Sequence, residues 1–332
     1  MRRGLAIVVL VALLTIGTFA MASNSEGQAD IAPSLVKTVP SLNTTDVLVG
    51  IYVNGISNFD FGKGAYSFDF YLWFIWTDPN ISSMNFEIMN GHPAYANAFQ
   101  KIIDNTSGDI KEQWFRLRAD LFIPPDLNEY PFESGGLKVE LEDAVLNETE
   151  LHYVWASDYS GYDGSSVVIP GWRIMDVDYS VGEHAYTFGE TYSQATFAIQ
   201  VERDSLPAAI QIILPPIIFC MVSSLSFFFR ETKESNIGLR LGLNSSMIIS
   251  AVLFYYGQQS TLPPMSSFSI FDELIISVYV FLGLTIAVTV LGVVETDFFR
   301  HPRRVNFINR YGAVTALVSA VMVFVLLEAF NV

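Results

Sequence analysis

Four apolar segments, 206–229, 239–258, 273–294 and 310–330, crowd the C-terminal part of this chain, and they constrain it more than any other feature. Each is about as long as the roughly 20 residues needed to cross the hydrocarbon core of a bilayer, with its few charges near the ends. Residues 23–205 before them are acidic, rich in aromatic side chains and strand-like in texture. The order describes a folded external domain, 23–205, standing on a membrane domain of four helices, 206–332.

The N-terminus reads differently. Arg2 and Arg3 precede a short apolar run, and Ala20, Met21 and Ala22 place small residues where a signal peptidase cuts, so residues 1–22 are expected to be a signal peptide. An uncleaved fifth span is the alternative, disfavoured by the shortness of the run. Charge then sets the orientation. Residues 23–205 hold 27 Asp and Glu against 9 Lys and Arg, a net of −18, so this domain carries the whole-chain charge of −16. Arg230, Lys233 and Arg240 flank the loop after the first segment, and Arg300, Arg303, Arg304 and Arg310 crowd the loop after the third. The positive-inside rule places both loops in the cytoplasm. The expectation is a multi-pass protein of the plasma membrane with the β domain and both mature termini extracellular or periplasmic. An acidic surface argues against nucleic acid as a partner. The single cysteine, Cys220, lies inside the first segment, so the external domain must hold together by its core. Asn43, Asn80, Asn105 and Asn147 begin glycosylation sequons, which matter only where the host uses them.

Strand texture recurs at 46–53, 65–76, 113–122, 137–146, 150–156, 167–177 and 191–203. It is clearest in the alternation of Tyr66, Phe68, Phe70 and Leu72, and 58–64 reads as a turn joining the first pair into a hairpin. Short strands separated by turn signals, with no helical period, predict an antiparallel β-sandwich. The stretch 82–99 reads as irregular with one short helix. The histidines His92, His152, His184 and His301 have no metal-binding spacing, and no nucleophile elbow or phosphate loop is present. Neither an enzyme nor a cofactor or metal site is expected, although carboxylates this abundant could always meet as an acid/base pair.

The stretch 123–137, with Tyr130-Pro131-Phe132-Glu133 at its centre, resembles the signature loop of the pentameric ligand-gated ion channels, the Cys-loop receptor superfamily. Ile123 and Leu137 stand where animal members have the bracketing cysteines, and Glu133 replaces an Asp. Prokaryotic members typically lack the bridge. The likeness continues in order along the chain: Trp76-Thr77-Asp78 after a strand, Arg203 before the first span, Pro215 and Pro216 within it, and Leu262-Pro263 after the second. No large domain separates the last two segments, as in prokaryotic members. The resemblance implies a β-sandwich above four membrane helices, five copies around an axis, and a ligand- or proton-gated pore lined by the second helix.

One face of that second segment presents Gly238, Gly242, Ser246, Ile249, Leu253, Tyr256 or Gly257, and Ser260 at steps of about 3 and 4. Around an axis this face would make a small, hydroxyl-lined inner half below aliphatic rings that can gate by dewetting. A small-residue face used only for helix packing is the alternative. The sign of the permeant ion stays open. Gly238 and Leu239 offer no acidic ring, and Arg240-Leu241-Gly242-Leu243 resembles anion-selective glycine receptors without their Pro-Ala pair, whereas the acidic external domain attracts cations.

The resemblance also implies a coupling junction of Asp60, Lys63, Glu133 and Arg203, with an ion pair from Arg203 to Glu133 or Asp60, acting on the linker with Pro263 and Pro264. It implies an aromatic ligand box between subunits, for which Tyr71, Trp73, Tyr153, Trp155, Tyr159, Tyr186, Phe188 and Tyr192 are candidates. Any one of them is equally explained as sandwich core. Aromatic faces near carboxylates suit an amine, through cation–π attraction, as agonist; protons are the other candidate. The expected partners are further copies of the chain as a homopentamer, membrane lipid, such an agonist and inorganic ions. Two alternatives of other classes remain: a non-conducting membrane sensor or binding protein of the same fold, and an ectoenzyme on a helical anchor.

Overall fold

The structure, a computed structural model, describes residues 45–229, 234–263 and 268–295, together with 311, 312, 314, 316–318 and 321. The expected signal peptide, Asn43, Arg230, Lys233, Pro264, Arg300, Arg303, Arg304 and Arg310 lie outside the described residues. The fourth segment is described at scattered helical positions.

Among the described residues eleven strands follow one another: β1 (Asp46–Asp60), β2 (Ala65–Trp76), β3 (Phe86–Ile88), β4 (Gly91–Pro93), β5 (Phe99–Asn105), β6 (Lys111–Phe122), β7 (Ser134–Asp143), β8 (His152–Trp155), β9 (Gly161–Tyr162), β10 (Trp172–Ala185) and β11 (Thr191–Arg203). Two sheets result. One has the order β4-β6-β2-β1-β8, with β5 on β6 and β9 on β1, and the other has β10-β11-β7-β3. Pairing is antiparallel except that β8 and β9 join β1 in parallel.

Alternation builds the core between the sheets. Tyr66, Phe68, Phe70, Leu72, Phe74 and Trp76 on β2 all point inward and are at most 2 % exposed, meeting Phe197, Ile199 and Val201 of β11 and Val139 and Leu141 of β7. Trp76 keeps its indole N–H satisfied on the Ile81 carbonyl at 3.0 Å, so its burial costs no hydrogen bond. Ile123 and Leu137, where the resemblance implied a missing bridge, both pack against this core, and Leu137 is buried. Burial at each end holds the loop between them.

Among the described residues three long helices follow: α1 (Ser205–Phe228), α2 (Glu234–Gln259) and α3 (Ile270–Val294). Each is long and apolar enough to cross a membrane, and α2 is the least apolar of the three. They pack pairwise. In α1, a π turn at Ala209–Ile213 immediately precedes Pro215 and Pro216. Proline has no N–H to give to the preceding turn, and local widening of the helix accommodates the resulting break. The start of α3 is set by a capping box, in which the Ser269 hydroxyl and the Asp272 carboxylate each accept the other residue's backbone N–H.

Two expectations are corrected. The stretch 82–99 holds no helix: β3, β4 and the start of β5 occupy it. The strand expected at 167–177 is displaced to 172–185, because Val167 and Ile169 enter the core from a loop, where their apolar character imitates a strand.

Candidate functional site

The β-sandwich meets the helices at the loop between β6 and β7. Arg203, the last residue of β11, directs its Nη1 at both oxygens of Glu133, 3.0 Å from Oε1 and 3.1 Å from Oε2. Its backbone N–H donates to the Glu133 carbonyl at 3.0 Å. Glu133 is 3 % exposed, whereas the Arg203 side chain keeps 25 % of its surface. Burial raises the Glu133 carboxyl above its ordinary value, and the neighbouring guanidinium offsets only part of that rise. The guanidinium also lies 5.5 Å from the centre of the Tyr130 ring.

Tyr130 carries the contact onward. It is buried, packs edge-on against Phe271 of α3 at 5.8 Å, and donates its hydroxyl proton to Gln258 Oε1 on the last turn of α2 at 3.2 Å. The same loop caps α3, since the Ile270 and Phe271 N–H groups donate to the carbonyls of Asn128 and Tyr130. The adjacent Gln259 reaches Asp272 Oδ1 at 2.8 Å, where the Tyr255 hydroxyl also donates at 3.1 Å. An unbroken series therefore runs from β11 through Glu133, Arg203 and Tyr130 to the C-terminal end of α2, and from there to α3. Tyr130 of the signature-loop motif joins it, and Gln258, Gln259, Tyr255 and Asp272 complete it without having been given a role of their own in the sequence reading.

Of the expected junction residues, Glu133 and Arg203 pair with each other. Asp60 pairs instead with Lys63, three residues on, at 2.7 Å, and this contact holds its carboxyl below the usual range. The short turn they frame lies near α2: a Cβ placed on Gly62 would stand 3.7 Å from the Thr261 carbonyl and 3.8 Å from Leu262. Pro263 is half-buried at the end of the described linker.

On α2, the residues of the expected stripe, Gly238, Gly242, Ser246, Ile249, Leu253, Tyr256, Gly257 and Ser260, are all exposed in the single chain, Ile249 at 60 %, Leu253 at 67 % and Tyr256 at 69 %. Arg240, Asn244 and Ala251 are turned into the bundle and fully buried. The hydroxyls of Ser246 and Ser260 bond back to the carbonyls of Gly242 and Gly257. Arg240 is stacked 4.9 Å from the Phe227 ring, away from the exposed stripe.

The aromatic candidates separate into four places. Tyr71 and Trp73 stand on the outer face of the first sheet, Tyr71 under Arg116 at 5.6 Å and Trp73 stacked on Trp114 at 5.0 Å. Tyr153 is fully buried in the sandwich core. Trp155 packs on Tyr179 and Phe197 with its N–H on the Ser180 carbonyl at 2.9 Å, and Tyr159 is exposed nearby. Tyr186, Phe188 and Tyr192 come together at the β10–β11 hairpin, Tyr186 stacked on Phe188 at 4.9 Å and edge-on to Tyr192 at 5.7 Å. These three line a cavity of about 150 Å³ whose other wall is Glu87, Met89, Glu142 and Asp143. Glu142, buried beneath them, accepts from Tyr186 Oη at 2.9 Å and Gln194 Nε2 at 2.7 Å, and faces His184 Nδ1 at 2.6 Å. Desolvation and this carboxylate push the Tyr186 phenol up to about 12. Among the described residues no three His, Cys, Asp or Glu side chains converge on a metal-sized site.

The class defined by this fold and junction is a β-sandwich joined to a bundle of helices able to cross a membrane, with the sandwich in direct contact with the second and third of them. No family model matches the chain, and no curated protein matches it either.

Proposed function

We propose that the protein is an ion channel built from five copies of this chain, gated by a ligand or by protons acting on the β-sandwich and conducting along α2. The observation that carries this reading is the exposed stripe of α2. A helix facing only lipid is expected to show uniform apolar bulk there. This one shows glycine and serine in its inner half and alkyl groups above them, on the face turned away from α1 and α3. Rings of Ile249 and Leu253 would exclude hydrated ions until widened.

The junction supplies the coupling that such a channel needs. Displacement of β11 or of the 123–133 loop pulls on Tyr130, and thus on Gln258 at the outer end of the same helix. The hairpin cavity, with three aromatic rings over a buried carboxylate, fits a cationic amine. An agonist opens the pore only by the amount it binds the open state more tightly.

The test is reconstitution of purified full-length chain into vesicles. The reading predicts a particle of five copies by native mass measurement and ion flux above that of empty vesicles. A monomer or dimer, or a pentamer silent at every pH and with every amine tried, counts against it.

A further inference from the structure

Strand β2 is regular, with every even-numbered residue from Tyr66 to Trp76 turned inward, but its neighbour β1 is not. Val47, Val49, Ile51 and Val53 face the core from β1, all of them odd-numbered. The register then slips at Asn54, since Val53 lies opposite Phe70 and Gly55 opposite Asp69, and the next residue packed on the core is Ile56, opposite Phe68. A second slip follows. Ser57 lies opposite Ser67 and Asp60 opposite Ala65, so Asn58 and Phe59 together face Tyr66. Each extra residue is a β-bulge, and each reverses the side of the sheet that the following residues take. The second returns β1 to its odd phase just before the turn to β2. That phase decides where the turn sits. Phe59 packs against the core and stands edge-on to Trp172 at 5.2 Å. Phe61 lies 4.6 Å from the same ring, and a Cβ placed on Gly135 would stand 3.2 Å from it. The Gly64 carbonyl accepts the Ile123 N–H at 2.9 Å. The turn is thus gripped near both ends of the 123–137 loop, with Gly62 beside Thr261 and Leu262. Without the second extra residue, Phe59 would be directed to the opposite face of the sheet.

Asn58 holds the second bulge. Its φ is 53°, and among the described residues no other residue except glycine has a positive φ. Asparagine tolerates this left-handed backbone, whereas a β-branched side chain clashes there. Asn58 Nδ2 donates to Ser67 Oγ at 3.0 Å, and the buried Ser67 hydroxyl donates in turn to Asp120 Oδ1 of β6. Beside them, Arg118 Nη2 of β6 donates to Ser57 Oγ at 3.1 Å. Both Ser57 and Asn58 are therefore tied to the far side of β2. We propose that Asn58 is a positioning residue: by holding this bulge it sets the phase of the β1–β2 turn, and so seats the turn against the residues that follow α2. The placement stands apart from the channel reading. Within that reading, this seat is a second point where the sandwich touches the end of α2, the first being Tyr130 on Gln258.

The test uses the full-length chain with Cys220→Ser as background and the pair Gly62→Cys and Leu262→Cys. Bridging within one chain under mild oxidation is followed as the loss of thiols that accept a maleimide polymer, on chains that run as monomers in a denaturing gel. The expected result is ready bridging with Asn58 in place and a closely similar rate with Asn58→Gly, because glycine adopts positive φ freely. Asn58→Val is expected to bridge several-fold more slowly, and deletion of residue 58 at least as slowly. Asn58→Ala, expected between Gly and Val, carries the comparison should the Val variant fail to accumulate. Equal rates for Gly and Val, or for Gly and Ala where Ala stands in, overturn the proposal. So does a pair that fails to bridge with Asn58 in place. A lower yield of protein at an unchanged bridging rate marks Asn58 as merely structural, and overturns it too. The rates are read without any current, so a chain that never conducts removes the channel reading while bridging still decides the placement of the turn.

Discussion

Replacing Glu133 by Met should cost more than its ion pair is worth. The carboxylate is almost wholly buried and bonds Nη1 of Arg203 through both oxygens, while the guanidinium keeps a quarter of its side-chain surface. Removing one partner of a buried pair typically costs about 3 to 5 kcal/mol, because the survivor is left desolvated and uncompensated. Arginine cannot relieve this by losing its proton, though its partial exposure lets it reach water, which places Glu133→Met at about 3 kcal/mol. Arg203→Met should cost a similar amount, about 3 kcal/mol, limited by the ease with which the buried carboxyl takes a proton. The raised carboxyl also says that burial weighs more than the attraction of the pair. Replacing both residues by Met should therefore return stability to within about 1 kcal/mol of the native chain. The assay is thermal unfolding of purified protein, compared at one scan rate and followed by tryptophan fluorescence; all five tryptophans lie in the sandwich. At roughly 2 to 4 °C per kcal/mol for a domain of this size, each single change lowers the midpoint by about 6 to 12 °C and the double change by no more than about 4 °C. Additive losses in the double variant, or single changes below about 2 °C, refute the reasoning.

Two further outcomes follow from the same residues. Because the folded protein holds the Glu133 proton more tightly than the unfolded chain does, this residue's contribution to stability declines as pH rises from the ordinary value of 4.5 through its raised folded value. Glu133→Gln should remove that part of the slope, seen as the difference between the two pH–stability curves. Tyr130→Phe keeps the ring against Phe271 and deletes the hydroxyl's bond to Gln258, so it should cost about 0.5 to 1.5 kcal/mol in unfolding while shifting the agonist or proton concentration for half-opening. An unchanged half-opening concentration would remove Tyr130 from the coupling series.

Much of the fold could be read from periodicity. The alternation of Tyr66, Phe68, Phe70 and Leu72 marks β2, and three apolar segments mark α1, α2 and α3 to within a few residues. Strands of three residues, such as β3 and β4, are too short to show any period, which is why 82–99 looked irregular. The end of β10 was hidden for another reason. Its inner partner is a neighbouring strand while much of its surface stays exposed, so residues 178–185 carry Asp, Tyr, Ser, Glu and His in place of a clear apolar face.

The junction was half legible. Glu133 and Arg203 could be proposed as partners, but sequence could not choose between Glu133 and Asp60. The choice falls out of local geometry, in which Lys63 sits one short turn from Asp60 and takes it. Gln258 and Gln259 carry no signal at all, because a glutamine before a prolyl linker looks like any polar helix end. Their role depends on Tyr130 and Asp272, which lie 128 and 13 residues away in the chain.

The central claim is that α2 lines a conducting pore closed by alkyl rings, and Ile249→Ser under voltage clamp across a salt gradient tests it most directly. Ile249 is exposed on the stripe, so the substitution should wet the constriction without disturbing the bundle. The account predicts standing current without added agonist, reversing at a potential that follows one ion's gradient. Surface-expressed pentamer with no current above that of untransfected cells would contradict it.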